Sequence, residues 1–210
     1  MPRLSHAEAS AALARLDPTM ARLVDEHGPM RLPRPPRADR RFEDLAESIA
    51  YQQLAGKAAA TIWGRFRALY GPGPLDADDV LATPVESLRA AGLSGAKAAA
   101  ILDLARHVAE GSLTLERAGR LSDDEISAQL VQVRGIGPWT AHMFLMFTLG
   151  RLDVWPIGDY GVRAGYARAW GLADLPSEKE LGALGEPFTG GRSLVAWYCW
   201  RVLDSPGGRS

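Results

Sequence analysis

The sequence predicts an all-α fold on three observations. Helix-start signals recur along the chain, the apolar residues between them repeat at three and four residues, and alternating runs rich in Val, Ile and Thr are missing. Four starts have the Ser/Thr-x-x-Glu form, in which a hydroxyl and a carboxylate satisfy amides left without partners in the first helical turn. These are Ser5/Glu8, Thr83/Glu86, Ser122/Glu125 and Ser177/Glu180.

In chain order, Ser5 opens a first helix and Asp17-Pro18 a second. Asp39 reads as the start of a third, whose Phe42, Leu45 and Ile49 share a face; Ile62, Phe66 and Leu69 mark the next. The Pro/Arg stretch Arg31 to Arg37 and Gly71-Pro72-Gly73-Pro74 are loops. Thr83 is followed by Pro84 at a first helical position, and Gly92 can close that helix in a left-handed conformation. A helix from Ser122 to about Val131 leads into Gly135-Ile136-Gly137, after which Pro138 starts a helix over Trp139 to Leu149. Trp155-Pro156 breaks the chain again, Asp159 heads another helix, and the apolar run Leu194 to Leu203 belongs to the last.

With 210 residues, 47% of them hydrophobic, the chain can bury a core as one domain or two closely packed lobes. A formal charge of -1 and a pI near 6.4 do not by themselves point to nucleic acid, membrane or an acidic partner. Any DNA-binding function must rest on local features. The single cysteine, Cys199, excludes an internal disulfide and any multi-thiolate metal site, and fits a reducing cytoplasm. No secretory signal opens the chain, and its most apolar stretch, Trp139 to Leu149, is far short of the about 20 residues of a membrane span. A soluble, cytoplasmic protein is expected. Arg31 to Arg41 holds five arginines against one acid, Asp39, and is either a solvated face or one basic side of a nucleic-acid cleft.

Two motifs carry chemistry. Gly135-Ile136-Gly137 between two helices is either a plain tight connection or a cradle in which backbone amides at the following helix start face an anion such as a DNA phosphate. It is not a dinucleotide fingerprint, because Thr140 stands where a third glycine is needed and no strand precedes it. Asp159 is either an N-cap alone or a functional carboxylate kept ionised by the helix dipole. A fixed negative charge suits the oxocarbenium-like transition state of a breaking glycosidic bond. A leaving group that is already cationic dispenses with the usual second carboxylate.

Residues 42 to 203 resemble the helix-hairpin-helix DNA glycosylases, in particular the monofunctional 3-methyladenine DNA glycosylase II group. The resemblance is carried by YQQLAGKAAATIWGRF, GLSGAKAAAILDLARHVAEG, LSDDEISAQLVQVRGIGPWTAHMFLMF, RLDVWPIGDYGVR and GRSLVAWYCW, in that order. It implies a compact glycosylase unit of two helical lobes with a cleft between them. Residues 42–150, including the hairpin 131–149, would form the middle lobe, and 1–41 with 151–210 the second. Asp159 would be the catalytic aspartate, stabilising the sugar cation or orienting the attacking water. Gly135, Ile136, Gly137 and Thr140 would grip DNA, and the carbonyls of Val131, Val133 and Gly135 would hold a structural Na+ or K+. Trp139 stands where strand-cleaving relatives carry a nucleophilic lysine, so no Schiff base and no backbone cleavage are expected. One cysteine is too few for the iron-sulfur cluster of other relatives.

The same resemblance places Gln53 and Leu54 in the turn that fills the gap left by an extracted base, although a lone leucine can equally be core. Trp139, Trp200, Tyr160 and Met143 would line the base pocket, where an indole face favours a cationic methylated purine by about 1 to 2 kcal/mol. For Trp200 a core position is as natural a reading. His142 stands where many relatives have an acid and reads first as a surface or satisfied residue. The expected function is therefore excision of alkylated purines from duplex DNA by a monomer. The alternatives are a non-catalytic damage-binding module and a glycosylase for neutral bases such as uracil or hypoxanthine, which would profit from a general acid.

Overall fold

The computed structural model describes residues 5–31 and 35–204, and among these every regular element is helical. Residues 32–34 of the Pro/Arg stretch lie outside the described residues. The helices are α1 (His6–Leu16), α2 (Pro18–His27), α3 (Arg41–Tyr51), α4 (Gly56–Arg67), α5 (Ala77–Ala82), α6 (Val85–Ala90) and α7 (Gly95–Ala109). They continue with α8 (Asp123–Leu130), α9 (Pro138–Met143), α10 (Tyr160–Trp170), α11 (Glu178–Leu184) and α12 (Arg192–Asp204). No described helix is long and apolar enough to cross a membrane.

Local chemistry sets most helix starts. Ser5, Ser122 and Ser177 close full capping boxes on Glu8, Glu125 and Glu180, and Asp17 caps α2 with Pro18 in its first turn. Thr83 does not cap. Its hydroxyl donates back to the carbonyl of Asp79 and closes α5, while Pro84, extended at φ -57° and ψ 138°, is the residue that precedes α6. Asp39 does not cap α3 either: it lies in a short 3-10 turn, Ala38–Arg40, and pairs with Arg37. Leu69 falls beyond the end of α4 and is exposed, whereas Phe66 is fully buried.

The chain divides into two compact units, one of Met1–Arg34 with Leu145–Ser210 and one of Pro35–Phe144. The divide at Phe144/Leu145 falls six residues before the boundary expected after residue 150, and that at Arg34/Pro35 seven before the one expected after residue 41. In the second unit α3 packs on α4 and α7, and α5 on α7. The side chains of Phe42, Leu45, Ile49, Ile101 and Leu104 fill its core. In the first unit α10 lies along α12, and α1 packs on α2. Gly165 makes that approach possible, because a Cβ there would stand 2.8 Å from the Cα of Cys199. The fully buried Tyr198 donates its hydroxyl hydrogen toward the carbonyl of Gly28 (2.9 Å) and lies 3.1 Å from Ser10 Oγ, tying α12 to the α1–α2 pair.

Candidate active site

The candidate site residues fall in both units. In the unit Pro35–Phe144, α8 ends at Leu130 and the chain turns through Gly135, at φ +80°, to Gly137, the N-cap of α9. Pro138 occupies the first helical position as expected. The expected uniform helix over Trp139 to Leu149 is instead α9 followed by a wider π-turn at Phe144–Thr148. Side chains of Ile136 and Thr140 point inward and are buried, so any contact of Ile136 with DNA is through its backbone. Gly135 and Gly137 are exposed. The Arg134 amide donates to Asp103 Oδ2 on α7 at 2.9 Å, and a Cβ on Gly135 would lie 3.2 Å from the Cβ of Ala100 on the same helix.

The carbonyls of Val133 and Gly135 each accept one hydrogen bond, from the Ile136 amide and from Gln52 Nε2, both at 3.1 Å. A carbonyl oxygen has two lone pairs, so each of these two keeps one lone pair beyond the hydrogen bond it accepts.

Leu54 lies in the turn between α3 and α4 and is 40% exposed, which removes the core reading of this residue. Beside it, Gln53 has φ +57°, the one positive value for a non-glycine among the described residues. Such strain is characteristic of functional turns. Trp139 is 50% exposed and lines a cavity of about 440 Å³ with Ser48, Tyr51, Gln52 and Gln53. Ser48 and Tyr51 were not singled out in the sequence; their spacing of three on α3 was the available signal. Met143 is half-buried at the end of α9. His142, also half-buried, has its pKa pushed below the usual 6.5 by burial.

In the other unit, the segment before Asp159 is pinned at several points. Arg192 holds Asp153 through two nitrogens, at 2.7 and 2.8 Å, and Ser193 Oγ accepts the Val154 amide at 2.9 Å. Burial by itself would raise the Asp153 carboxyl, but its bonds to Arg192 and to the Gly190 amide together outweigh this and hold it below its ordinary value. Trp155 is buried and donates to the carbonyl of Leu181 at 2.8 Å. The Asp159 amide then bonds to the Pro156 carbonyl at 2.9 Å, closing a tight turn.

Asp159 is the N-cap of α10, so that reading holds, and its Oδ1 accepts the Val162 amide at 2.7 Å. The same oxygen accepts the indole hydrogen of Trp200 at 3.0 Å. Gly161 makes room for this: a Cβ there would be 2.9 Å from Trp200 Cδ1 and 3.1 Å from Asp159 Oδ1. Trp200 is half-buried rather than core, and its ring stacks on Phe147 with centroids 6.0 Å apart and planes 29° apart. Phe147, 37% exposed, sits in the π-turn, and helical periodicity gave no signal for it. Tyr160 is 70% exposed.

A glycine hairpin opening one helix and a carboxylate fixed at the start of another are set in an all-helical fold of the helix-hairpin-helix class. The chain belongs to the HhH-GPD superfamily of base excision DNA repair proteins, whose family model matches residues 46–188. It is 33% identical over 197 residues to DNA-3-methyladenine glycosylase 1 of Schizosaccharomyces pombe, covering 93% of this chain and 86% of that one. The solved 3-methyladenine DNA glycosylase of S. pombe in complex with abasic DNA matches with a TM-score of 0.83 at 31% identity, over 96% of this chain and 99% of that one. A DNA-3-methyladenine glycosidase from Bacillus halodurans gives the same TM-score and identity over 96% and 92%.

Proposed function

We propose that the chain is a monofunctional DNA glycosylase that hydrolyses the N-glycosidic bond of alkylated purines such as 3-methyladenine in duplex DNA, leaving the strand intact. The observation that carries this reading is the double hold on Asp159 Oδ1 by the Val162 amide and the Trp200 indole. A carboxylate fixed in this way stands ready for charge that develops on the sugar, with no reorganisation at the moment of reaction. Base excision begins with extraction of the nucleotide, at a cost of a few kcal/mol. The exposed glycine hairpin, Gly135 to Gly137, holds the DNA backbone and Leu54 fills the gap.

Trp139, with Met143 nearby in the chain, offers an aromatic face in the unit Pro35–Phe144, and the stacked pair Trp200 and Phe147 offers another in the unit that holds Asp159 and Tyr160. Carbonyls of Val131, Val133 and Gly135 would hold a Na+ or K+ ion, which supplies a positive charge toward a DNA phosphate. Trp139 has no amine, so no covalent intermediate forms at that position and no strand break follows.

Cationic lesions suit the site better than neutral bases. A neutral leaving base profits from a proton donor, yet burial lowers the His142 pKa and Tyr160 is mostly in solvent. The protein would act as a monomer on damaged duplex DNA, in the compartment that holds the DNA.

The test is release of free base from methylated duplex DNA by wild type and Asp159→Asn, with strand breaks scored before and after alkali. Asparagine keeps the cap. Loss of about 100-fold or more in single-turnover release with Tm retained, and breaks only after alkali, are expected. Unchanged release in Asp159→Asn overturns the role of Asp159; DNA binding with no release by wild type favours the damage-binding module.

A further inference from the structure

The turn that carries Leu54 is thinly built for a wedge. Its backbone bonds are the Gln52 amide to the Ser48 carbonyl at 3.2 Å and the Leu54 amide to the Tyr51 carbonyl at 3.3 Å, and Gln53 holds an unfavourable φ. Residues 53 to 58 are exposed. A side chain driven into stacked bases meets a restoring force, and an unsupported turn would yield to it.

Support comes from outside the turn. Gln52 Nε2 donates across 83 residues to the carbonyl of Gly135 at 3.1 Å, and lies 3.5 Å from Oγ1 of the buried Thr140. Two residues earlier, Lys97 Nζ donates to the Ala50 carbonyl at 2.7 Å, so α7 holds the end of α3. Further along α7, Ala100 meets Gly135 and Asp103 accepts the Arg134 amide. Lys97, Ala100 and Asp103 recur every three residues, so one face of α7 holds both the end of α3 and the hairpin. Gln52 closes this arrangement by joining the two supported parts directly.

We propose that Gln52 is a positioning residue that fixes the Leu54 turn at a constant offset from the glycine hairpin, so that gripping the phosphate backbone and inserting the wedge are one rigid act. The inference rests on the reading of Leu54 as wedge and of the hairpin as backbone grip. It also gives the Gly135 carbonyl a role beyond facing an ion, since that oxygen is the anchor of the brace.

The test uses the full-length protein with Gln52→Ala, Gln52→Glu, which keeps the shape but loses the donor, Leu54→Ala, and the double variant Gln52→Ala/Leu54→Ala. Amide hydrogen exchange in the free protein should quicken about tenfold at positions 52 and 54, the two bonded amides of the turn, in both Gln52 variants, with α10 and α12 unchanged. Single-turnover base release should slow about tenfold, and the double variant should be no slower than Leu54→Ala, because a brace acting through the wedge has nothing left to support. Affinity for undamaged duplex should stay within about twofold of wild type, since the hairpin is intact. Unchanged exchange at positions 52 and 54, quickening across the whole protein, or full additivity with Leu54→Ala would each overturn the proposal. If Leu54→Ala alone releases base at the wild-type rate, the wedge reading fails, and the coupling of wedge to grip fails with it, even where the exchange data still place Gln52 in support of the turn.

Discussion

Gly161 is the residue on which the geometry around Asp159 most directly depends. It lies in the first turn of α10, in a helical backbone where alanine is the better helix former by up to about 1 kcal/mol. Yet its missing side chain is what lets the Trp200 indole reach Asp159 Oδ1, since a Cβ would intrude to within 3.1 Å of both Trp200 Nε1 and that oxygen. Gly161→Ala should therefore separate stability from activity. Helix propensity offsets much of the local strain, so Tm should stay within about 4 °C of wild type. Base release should fall about tenfold or more as the indole is pushed off the carboxylate, a loss comparable with one hydrogen bond to a charged group. Thermal unfolding and single-turnover release on the same preparations check both halves, and a fall in Tm with no loss of release would show that the Trp200 contact is packing alone.

At the scale of elements, the first unit depends on how closely α10 and α12 approach. The Gly165 position faces the backbone of Cys199, and a helical carbonyl cannot swing aside as a flexible side chain can. Gly165→Ala should cost about 2 kcal/mol by overpacking, which corresponds to a fall in Tm of about 6 °C. Gly64→Ala is the control: nothing lies within 4 Å of a Cβ there, so the propensity gain should stand and Tm should rise. Equal shifts in the two variants would refute the close approach. The same contrast explains what was legible in the sequence. Serine capping boxes and the Asp159 cap could be read directly, because their partners are three residues away. Thr83 misled because the adjacent Pro84 is extended and turns the hydroxyl back to the preceding helix. Leu69 misled because α4 stops at Arg67, before the Gly-Pro-Gly-Pro loop. Phe147 was hidden because a π-turn departs from the 3.6-residue period. The bond from Trp200 to Asp159 spans 41 residues, and no local pattern encodes it.

For the whole molecule, the charge distribution sets how DNA is held. The basic stretch reads in sequence either as a solvated face or as one basic side of a nucleic-acid cleft, and three of its described arginines have partners within the protein. Arg37 pairs with Asp39 at 3.1 Å, Arg40 with Glu43 at 3.0 Å, and Arg41 donates to the Leu115 carbonyl at 2.7 Å. Elsewhere Arg67, Arg106 and Arg192 are likewise bound to Glu43, Asp103 and Asp153. With a net charge of -1, the protein has no large surplus of cations to spend on phosphates. Backbone amides at the hairpin can contact phosphate without adding a full positive charge, so binding should release few condensed counterions. A plot of log affinity against log salt for a duplex carrying an abasic-site analogue should then have a slope no steeper than about -4, each neutralised phosphate contributing about -0.9. Fluorescence anisotropy from low to physiological salt measures it. A slope near -8 would require about nine neutralised phosphates and would overturn a grip made mainly by backbone amides.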